Sequence, residues 1–368
     1  MLKNFFYPPK VDTNTDYDLL QSKTIDWLRF PLMVMVVFIH VCHQNLLDMK
    51  PSVFAYGTYF TVSQVIARIA VPLFFIISGY YFFFGKGENC AFNKDIYLSK
   101  LKKRTKTLLF PYLFWNLVIL CFIVPKDLLS GRIDLSFSTL LTAFFDYGHR
   151  GYPIAFQFWF IRDLIIVVIA SPLIYILVRY LKTIAIILLF FLWMLPLEIQ
   201  HIPRVALFFF SLGAYFSINN LNIIRTIRFL PKNLIFLITF CLMVADLLIN
   251  SMPMDIAHGA RTNTYIHNIF LIFGIISVLL LAAKGIETNK LQTNKLLASS
   301  SFFLFAIHPM PLMILDIILI KILPHNDLTF LLIYFTSVIV VVIVSVVIYK
   351  FLKNHLPRLT AIITGNRL

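Results

Sequence analysis

Charged side chains are scarce in this sequence. Asp, Glu, Lys and Arg together make up 13% of the 368 residues, whereas hydrophobic residues make up 60%. Soluble domains carry roughly 25% charged residues, so a compact fold in water would leave much of this apolar sequence exposed. The composition excludes an ordinary soluble globular protein and predicts that lipid surrounds much of the chain.

Features typical of other protein classes are absent as well. The apolar runs lack the period-two alternation of β-barrel strands, so we expect helices. The first apolar run follows a polar segment and contains no small-residue cleavage site, which argues against a removed secretory signal. No hydrophilic stretch is long enough for a second domain. The cysteines are far apart and form no CxxC pair, so we expect neither a disulfide framework nor a metal site; they are Cys42, Cys90, Cys121 and Cys241.

Apolar runs that approach the roughly 20 residues of a membrane-spanning helix recur along the chain. We predict an all-α fold, namely a polytopic integral membrane helical bundle with about ten transmembrane helices. The predicted spans are 25–46, 59–84, 107–125, 157–178, 182–197, 204–218, 233–250, 264–283, 301–322 and 327–352.

The basic residues are distributed unevenly between the two ends of these spans. Of the 32 Lys and Arg residues, 22 lie before the first span, in connections on the same side, or at and after the end of the last span. Six lie on the opposite side, and four lie within or at the edge of spans. Because basic residues concentrate in cytoplasmic loops, we expect both termini in the cytoplasm. The net charge of +15 is therefore interpreted as a topology signal, not as nucleic-acid binding.

This topology divides the chain into three segments. We expect a cytoplasmic N-terminal segment at 1–24, a transmembrane domain at 25–352 and a cytoplasmic C-terminal tail at 353–368. The predicted location is the cytoplasmic (inner) membrane of the cell, which the chain crosses many times.

The first predicted span contains the clearest functional pattern. Arg29 and His40 are eleven positions apart, which is three helical turns and a small remainder, so both are expected on one face. Charge at membrane depth is costly and usually faces the bundle interior with a function. A neutral imidazole there can take a proton from a hydroxyl that attacks an acyl carbon. The alternative is that His40 only hydrogen-bonds a neighbouring helix; the presence of Arg29 favours function.

A second pattern is the basic run at Lys103, Arg104 and Lys106, directly before an apolar span. Basic side chains at the mouth of a membrane site can bind phosphates, Arg through bidentate hydrogen bonds and Lys as a point charge. Juxtamembrane basic clusters also anchor helices and attract anionic lipids. Both interpretations stay open on the pattern alone.

Several other polar residues fall inside predicted spans. Arg68 precedes Pro72, which should loosen the helix there, and Ser78 precedes Gly79, a pair small enough for close helix packing. Trp159 fits an interfacial aromatic as well as a site residue, and Arg162 fits a partner of another helix. His308, next to Pro309, fits either a site residue or a donor to carbonyls freed at a kink.

Taken together, six segments in one order resemble the membrane acyltransferase-3 family, which includes bacterial surface-polysaccharide O-acetyltransferases. The best marker is the family's Arg/Lys-x10-His pattern, matched by Arg29 and His40. The other segments resemble VPLFFxxSGY (Val71 to Tyr80), a basic run before PYLFW (Arg104 to Trp115), WFLRDL (Trp159 to Leu164), FFFxLGAYF (Phe208 to Tyr215) and SFxxxxxHP (Ser301 to Pro309).

The resemblance implies ten core helices and a membrane O-acyltransferase without a permanently bound cofactor. Its donor substrate would be acyl-CoA from the cytoplasm, usually acetyl-CoA, and its acceptor a hydroxyl of a surface or lipid-linked glycan. His40 and Arg29 would be the catalytic pair, and the basic run would face the CoA phosphates. The candidate substrate-binding residues are Arg68, Ser78, Lys103, Arg104, Lys106, Trp159, Arg162 and His308.

Two other classes of function fit parts of the pattern. A transporter or flippase for a glycolipid would also bury arginines and histidines along its path, but transporters often have internal repeats, and we find none here. A non-catalytic membrane sensor would need no aligned Arg29 and His40. Release of free CoA thiol in the presence of an acceptor would distinguish an enzyme from both.

Overall fold

A computed structural model describes residues 15–41, 44–85, 93–129, 142–195, 202–250 and 264–366. Within these ranges all regular secondary structure is helical and there is no strand, which confirms the predicted all-α class. Most of the predicted N-terminal segment lies outside the described residues, as do Cys42 and Cys90.

Helices overlap all the predicted spans, but the predicted spans 157–178 and 301–322 are each divided between two helices. We number the principal helical segments α1 (Thr15–His40), α2 (Val53–Phe83), α3 (Lys94–Arg104, Thr105–Leu109 and Phe110–Leu129), α4 (Phe156–Ile169), α5 (Ser171–Leu181), α6 (Thr183–Met194), α7 (Arg204–Ile218), α8 (Ile223–Arg228), α9 (Lys232–Asn250), α10 (Thr264–Glu287), α11 (Lys295–Ile307), α12 (Pro309–Ile322), α13 (Asp327–His355) and α14 (Pro357–Thr364).

By length and composition, five of the described helices can cross a membrane, and seven can if each of two bent pairs forms one span. The bent pairs are α4 with α5, at 63°, and α11 with α12, at 68°. α1 is not among the five, because Lys23, Asp26 and Arg29 interrupt its apolar sequence. Each predicted span overlaps a helix, so the chain is a multi-pass membrane protein, while the number ten stays a prediction.

α2 is irregular in its middle. It changes from α-helix to a π-helical stretch at Phe60–Ile66, then to a 3-10 turn at Ala67–Ile69, before α-helix resumes. Pro72 lies directly after these turns and has no N–H to give to the carbonyl of Arg68. The loosening expected ahead of this proline is therefore present, and Arg68 lies within it.

α2 and α7 pack against each other through two glycines. A Cβ on Gly79 would lie 2.0 Å from the carbonyl oxygen of Phe210, and a Cβ on Gly213 would lie 2.0 Å from that of Ile76. Only glycine allows this close approach of the two backbones. The packing role expected for Gly79 is confirmed.

One end of the bundle gathers segments that were all predicted to be cytoplasmic. Asn222 donates to Asp18 (2.7 Å), and Arg225 and Arg228 lie over the ring of Tyr17. Arg228 also pairs with Glu287 at the end of α10. The N-terminal segment and two connections thus share one end of the bundle, as the charge pattern predicts.

The predicted C-terminal tail contains a packed helix. α14 lies against α3, where Trp115 donates its indole N–H to the carbonyl of Ile363 (3.0 Å). A Cβ on Gly365 would lie 2.4 Å from the carbonyl of Thr107, at a backbone φ of +67° that favours glycine.

The connection before α4 packs into the bundle. The backbone N–H of Ala155 is bound by the side chain of Asn116 on α3 (3.1 Å), and Gln157 donates to the carbonyl of Ala306 on α11 (2.9 Å). Ala155 and Gln157 are both buried. This segment thereby carries Phe156 to the end of α1.

Candidate active site

Two histidines meet where α1 ends and α11 turns into α12. The ring centroids of His40 and His308 are 5.2 Å apart, and the planes are inclined by 36°. Phe156 meets the His40 ring edge-on at 5.3 Å. His308 is completely buried and His40 is partly buried. The structure therefore brings together the first and last histidines singled out in the sequence, which lie 268 positions apart in the chain.

The bend after α11 fixes the ring of His308. Pro309 has no N–H, so the carbonyl of Phe305 loses its helical donor. The Nδ1 of His308 lies 2.8 Å from that oxygen and 3.2 Å from the carbonyl oxygen of Leu304. Since carbonyl oxygens only accept, this network assigns the proton to Nδ1 and leaves Nε2 as an acceptor in the neutral ring. His308 does serve the kink, and one of its two nitrogens is still available.

Arg29 lies about 16 Å from His40 along α1, by the rise of a regular helix. It pairs with Asp26 at 3.2 Å, and both side chains are about half exposed. The phenol of Tyr81, near the end of α2, lies within electrostatic range of this pair. Arg29 therefore lies where α1 meets the end of α2, well separated from the two histidines.

The basic run of α3 separates into two sets of side chains. Arg104 packs over the ring of Phe82, its guanidinium carbon 5.8 Å from the ring centroid. Lys100 also packs over this ring and donates to the Phe82 carbonyl. Lys103 and Lys106 are exposed instead. Since Phe82 follows Tyr81, Arg104 and Arg29 approach the same end of α2. Within the run, Arg104 is packed, whereas Lys103 and Lys106 are open to a ligand in solution.

Arg68 lies in the irregular part of α2 with little compensation for its charge. It donates to Gln64 (2.6 Å), which in turn donates to the hydroxyl of Tyr59 (2.9 Å). Its Nε is buried and has no hydrogen-bond partner. Among the described residues no carboxylate pairs with it. A guanidinium so placed suits a ligand that carries or develops negative charge.

Arg162 is engaged by its own surroundings. Its Nε and one terminal nitrogen donate to Asp163, at 3.0 and 2.9 Å, and the other donates to the carbonyls of Phe145 and Gly151. These four bonds use four of its five N–H groups. The geometry assigns Arg162 to holding the connection before α4, and its role toward substrate stays a prediction.

The positions of the two remaining candidates, Trp159 and Ser78, indicate no specific role. Trp159 is partly buried in the first full turn of α4, beyond the short 3-10 segment at Phe156–Phe158. Ser78 is half-buried on α2, next to the glycine contact with α7. Neither side chain makes a hydrogen bond within the described part of the chain. Both stay candidates for substrate binding.

Sequence reasoning missed several polar residues inside the bundle. Ser63 donates to the carbonyl of Phe38, which is two residues before His40, and forms a hydrogen bond with the hydroxyl of Tyr334, each at 2.6 Å. Asp246 and His267 form a buried pair at 2.6 Å between α9 and α10. The sequence feature that could have identified these residues is the one that identified the arginines, namely a polar side chain within a predicted span. Phe156 carried no signal, because its contact with His40 depends on tertiary structure.

These features define a multi-pass helical membrane protein with an interior histidine pair, an uncompensated arginine and a basic end. A neutral imidazole next to an acceptor nitrogen can move a proton, and a buried guanidinium can stabilise an oxyanion. Such groups suit acyl transfer to a hydroxyl.

Comparison with known proteins agrees with this class. A family described as an acyltransferase domain matches residues 22–350, so the chain belongs to the acyltransferase-3 family. The chain is also similar to the succinoglycan biosynthesis protein ExoH of Rhizobium meliloti (strain 1021). The two are 25% identical over 357 residues, which cover 94% of this chain and 92% of the relative. None of the solved structures matches this chain significantly.

Proposed function

We propose that this protein is a membrane O-acyltransferase that moves an acyl group, acetyl by default, from cytoplasmic acyl-CoA to a hydroxyl of a surface or lipid-linked glycan. The observation that carries this proposal is the contact between His40 and His308 inside the bundle. Membership of an acyltransferase family supports the reaction class, and the similarity to a succinoglycan biosynthesis protein supports a glycan acceptor. The membrane is the cytoplasmic (inner) membrane.

The donor enters at the end of the bundle that carries Arg29 and the exposed lysines. Lys103 and Lys106 attract the CoA phosphates as point charges, and Arg29 contributes a further cation at the start of the path. The roughly 16 Å between Arg29 and His40 leaves room for the pantetheine arm to lie along α1. The thioester then reaches the histidines.

At the histidines the acceptor hydroxyl loses its proton to His40 as its oxygen attacks the thioester carbonyl carbon. The carbonyl π electrons move onto oxygen, and Arg68 stabilises that oxyanion. When the intermediate collapses, the C–S bond breaks and the proton passes from His40 to the thiolate. The products are the glycan ester and free CoA thiol.

The test is CoA thiol release by purified protein in detergent, with acetyl-CoA and glycan acceptors from the host envelope. The wild type should release thiol only when acceptor is present, and the acceptor should gain one acetyl group by mass. His40→Ala should lower kcat about 10²–10⁴-fold, the usual contribution of general acid–base catalysis. His325→Ala, a change at an exposed histidine beyond α12, is the matched control. A His40→Ala protein that acetylates glycan at the wild-type rate would overturn the proposal.

A further inference from the structure

The buried nitrogen of His308 is the least explained polar atom of the candidate site. Its Nδ1 is occupied by the carbonyls of Leu304 and Phe305, while Nε2 is buried and has no hydrogen-bond partner. Leaving a buried acceptor without a donor is costly, and such atoms are rare in native proteins. A nitrogen left in this state is suited to accept a hydrogen bond that forms only during function.

His40 is placed to provide that donor. At a centroid separation of 5.2 Å, two imidazoles that turn edge to edge bring their nearest nitrogens to about 3 Å, an ordinary hydrogen-bond distance. The present inclination of 36° departs from that arrangement, so the hydrogen bond requires the His40 ring to turn. His308 cannot turn in the same way, because its Nδ1 is held by the two carbonyls.

We propose that His308 is a positioning residue, whose Nε2 accepts the ring N–H of His40 once His40 has taken the proton of the acceptor hydroxyl. This inference rests on the proposed function. His40 gains its proton on one nitrogen and donates from the other, so His308 stays neutral and no further proton moves. The proton on His40 then leaves with the CoA thiol.

The assignment of charge to His40 follows from the surroundings of the two rings. Two imidazolium rings in contact would repel each other, so only one ring carries charge at a time. His40 is partly exposed, whereas His308 is completely buried among apolar residues at the bend. Placing the charge on His40 and keeping His308 neutral therefore costs less desolvation than the reverse arrangement.

Two substitutions separate this role from the structural role of His308 at the kink. His308→Asn keeps a short amide donor for the freed carbonyls but removes the acceptor at the Nε2 position. His308→Gln places an amide oxygen near the Nε2 position and gives up the donor near Nδ1. A role limited to the kink predicts that Asn is active and Gln is impaired, and the proposal predicts the opposite order.

The experiment measures kcat and the KM for acyl-CoA and acceptor with purified wild type and both variants, with thermal denaturation to confirm folding. We expect His308→Asn to lower kcat roughly tenfold to hundredfold, the size of one hydrogen bond to a charged group, with both KM values unchanged. His308→Gln should recover most of the loss. The exposed His325→Asn serves as the control.

A folded His308→Asn with wild-type kcat overturns the proposal, and so does a folded His308→Gln that is as slow as His308→Asn. Should His308→Asn fail to fold, the Gln variant decides alone: near-wild-type kcat supports the proposal and a hundredfold loss refutes it. If the wild type itself releases no CoA with any acceptor, the proposed function fails together with this inference. If the wild type is active and only the order of the variants is wrong, the inference alone fails.

Discussion

The glycine contact between α2 and α7 predicts a large effect from adding a single methyl group. In Gly79→Ala the new Cβ would lie 2.0 Å from the carbonyl oxygen of Phe210 and 2.8 Å from its carbonyl carbon. The shorter distance is 1.4 Å below the 3.4 Å at which ordinary contacts begin. Both obstructing atoms are backbone, so no side chain can rotate away, and the helices must separate.

Forced overpacking of this kind costs about 1–3 kcal/mol, and sometimes more. The higher helix propensity of Ala offsets at most about 1 kcal/mol of this cost. We therefore expect Gly79→Ala to be destabilised by about 1–3 kcal/mol. The assay is unfolding of the detergent-solubilised protein by heat or by SDS titration, and the midpoint should fall.

Gly57 provides a matched control on the same helix. A Cβ there would have nothing within 4 Å. Gly57→Ala should therefore be neutral or stabilising by up to about 1 kcal/mol, through helix propensity alone. If Gly79→Ala were as stable as Gly57→Ala, the close backbone contact between α2 and α7 would be wrong.

Two further predictions concern the donor path and the connection before α4. Replacing Lys103 and Lys106 together by Gln should raise the KM for acyl-CoA roughly threefold to tenfold at low salt and leave kcat near wild type, since exposed ion pairs are weak and screened. Lys102→Gln, at another exposed lysine, is the control, and an unchanged KM in the double variant would contradict the assignment. Arg162→Lys should lose most of the four hydrogen bonds of Arg162, so amide hydrogen exchange in the connection before α4 should accelerate. Arg179→Lys, at an exposed arginine, should leave that exchange rate unchanged. Equal exchange rates in both variants would show that Arg162 does not hold the connection.

The regular part of the fold could be predicted because it depends on local sequence. Apolar runs of membrane-spanning length and the placement of Lys and Arg give the helices, and each predicted span overlaps a helix of the structure. α14 was missed, because the amphipathic segment Pro357–Thr364 is short and gains its stability by packing on α3.

The site was predictable only in its ionisable members. Arg29 and His40 stand out because charge in an apolar run is costly, and His308 stands out for the same reason. The contact of His40 with Phe156 could not be predicted, since it requires the connection before α4 to pack into the bundle. That Arg104 is packed while Lys103 is exposed could not be predicted either, since it depends on a tertiary contact between Arg104 and Phe82.

The irregular backbone and the ionisable side chains occur together for one physical reason. Arg68 lies in the 3-10 turn ahead of Pro72, and His308 lies at the bend ahead of Pro309. A proline inside a helix frees a carbonyl, and in hydrocarbon such a group must find a donor within the protein or beside a wet cavity. An ionisable side chain needs the same surroundings. At Pro309 the two needs meet in one residue, since the imidazole of His308 that repairs the backbone also lies against the ring of His40. Pro309→Ala would restore the helical donor to the carbonyl of Phe305, and it would remove the 68° bend that holds the ring of His308 against α1.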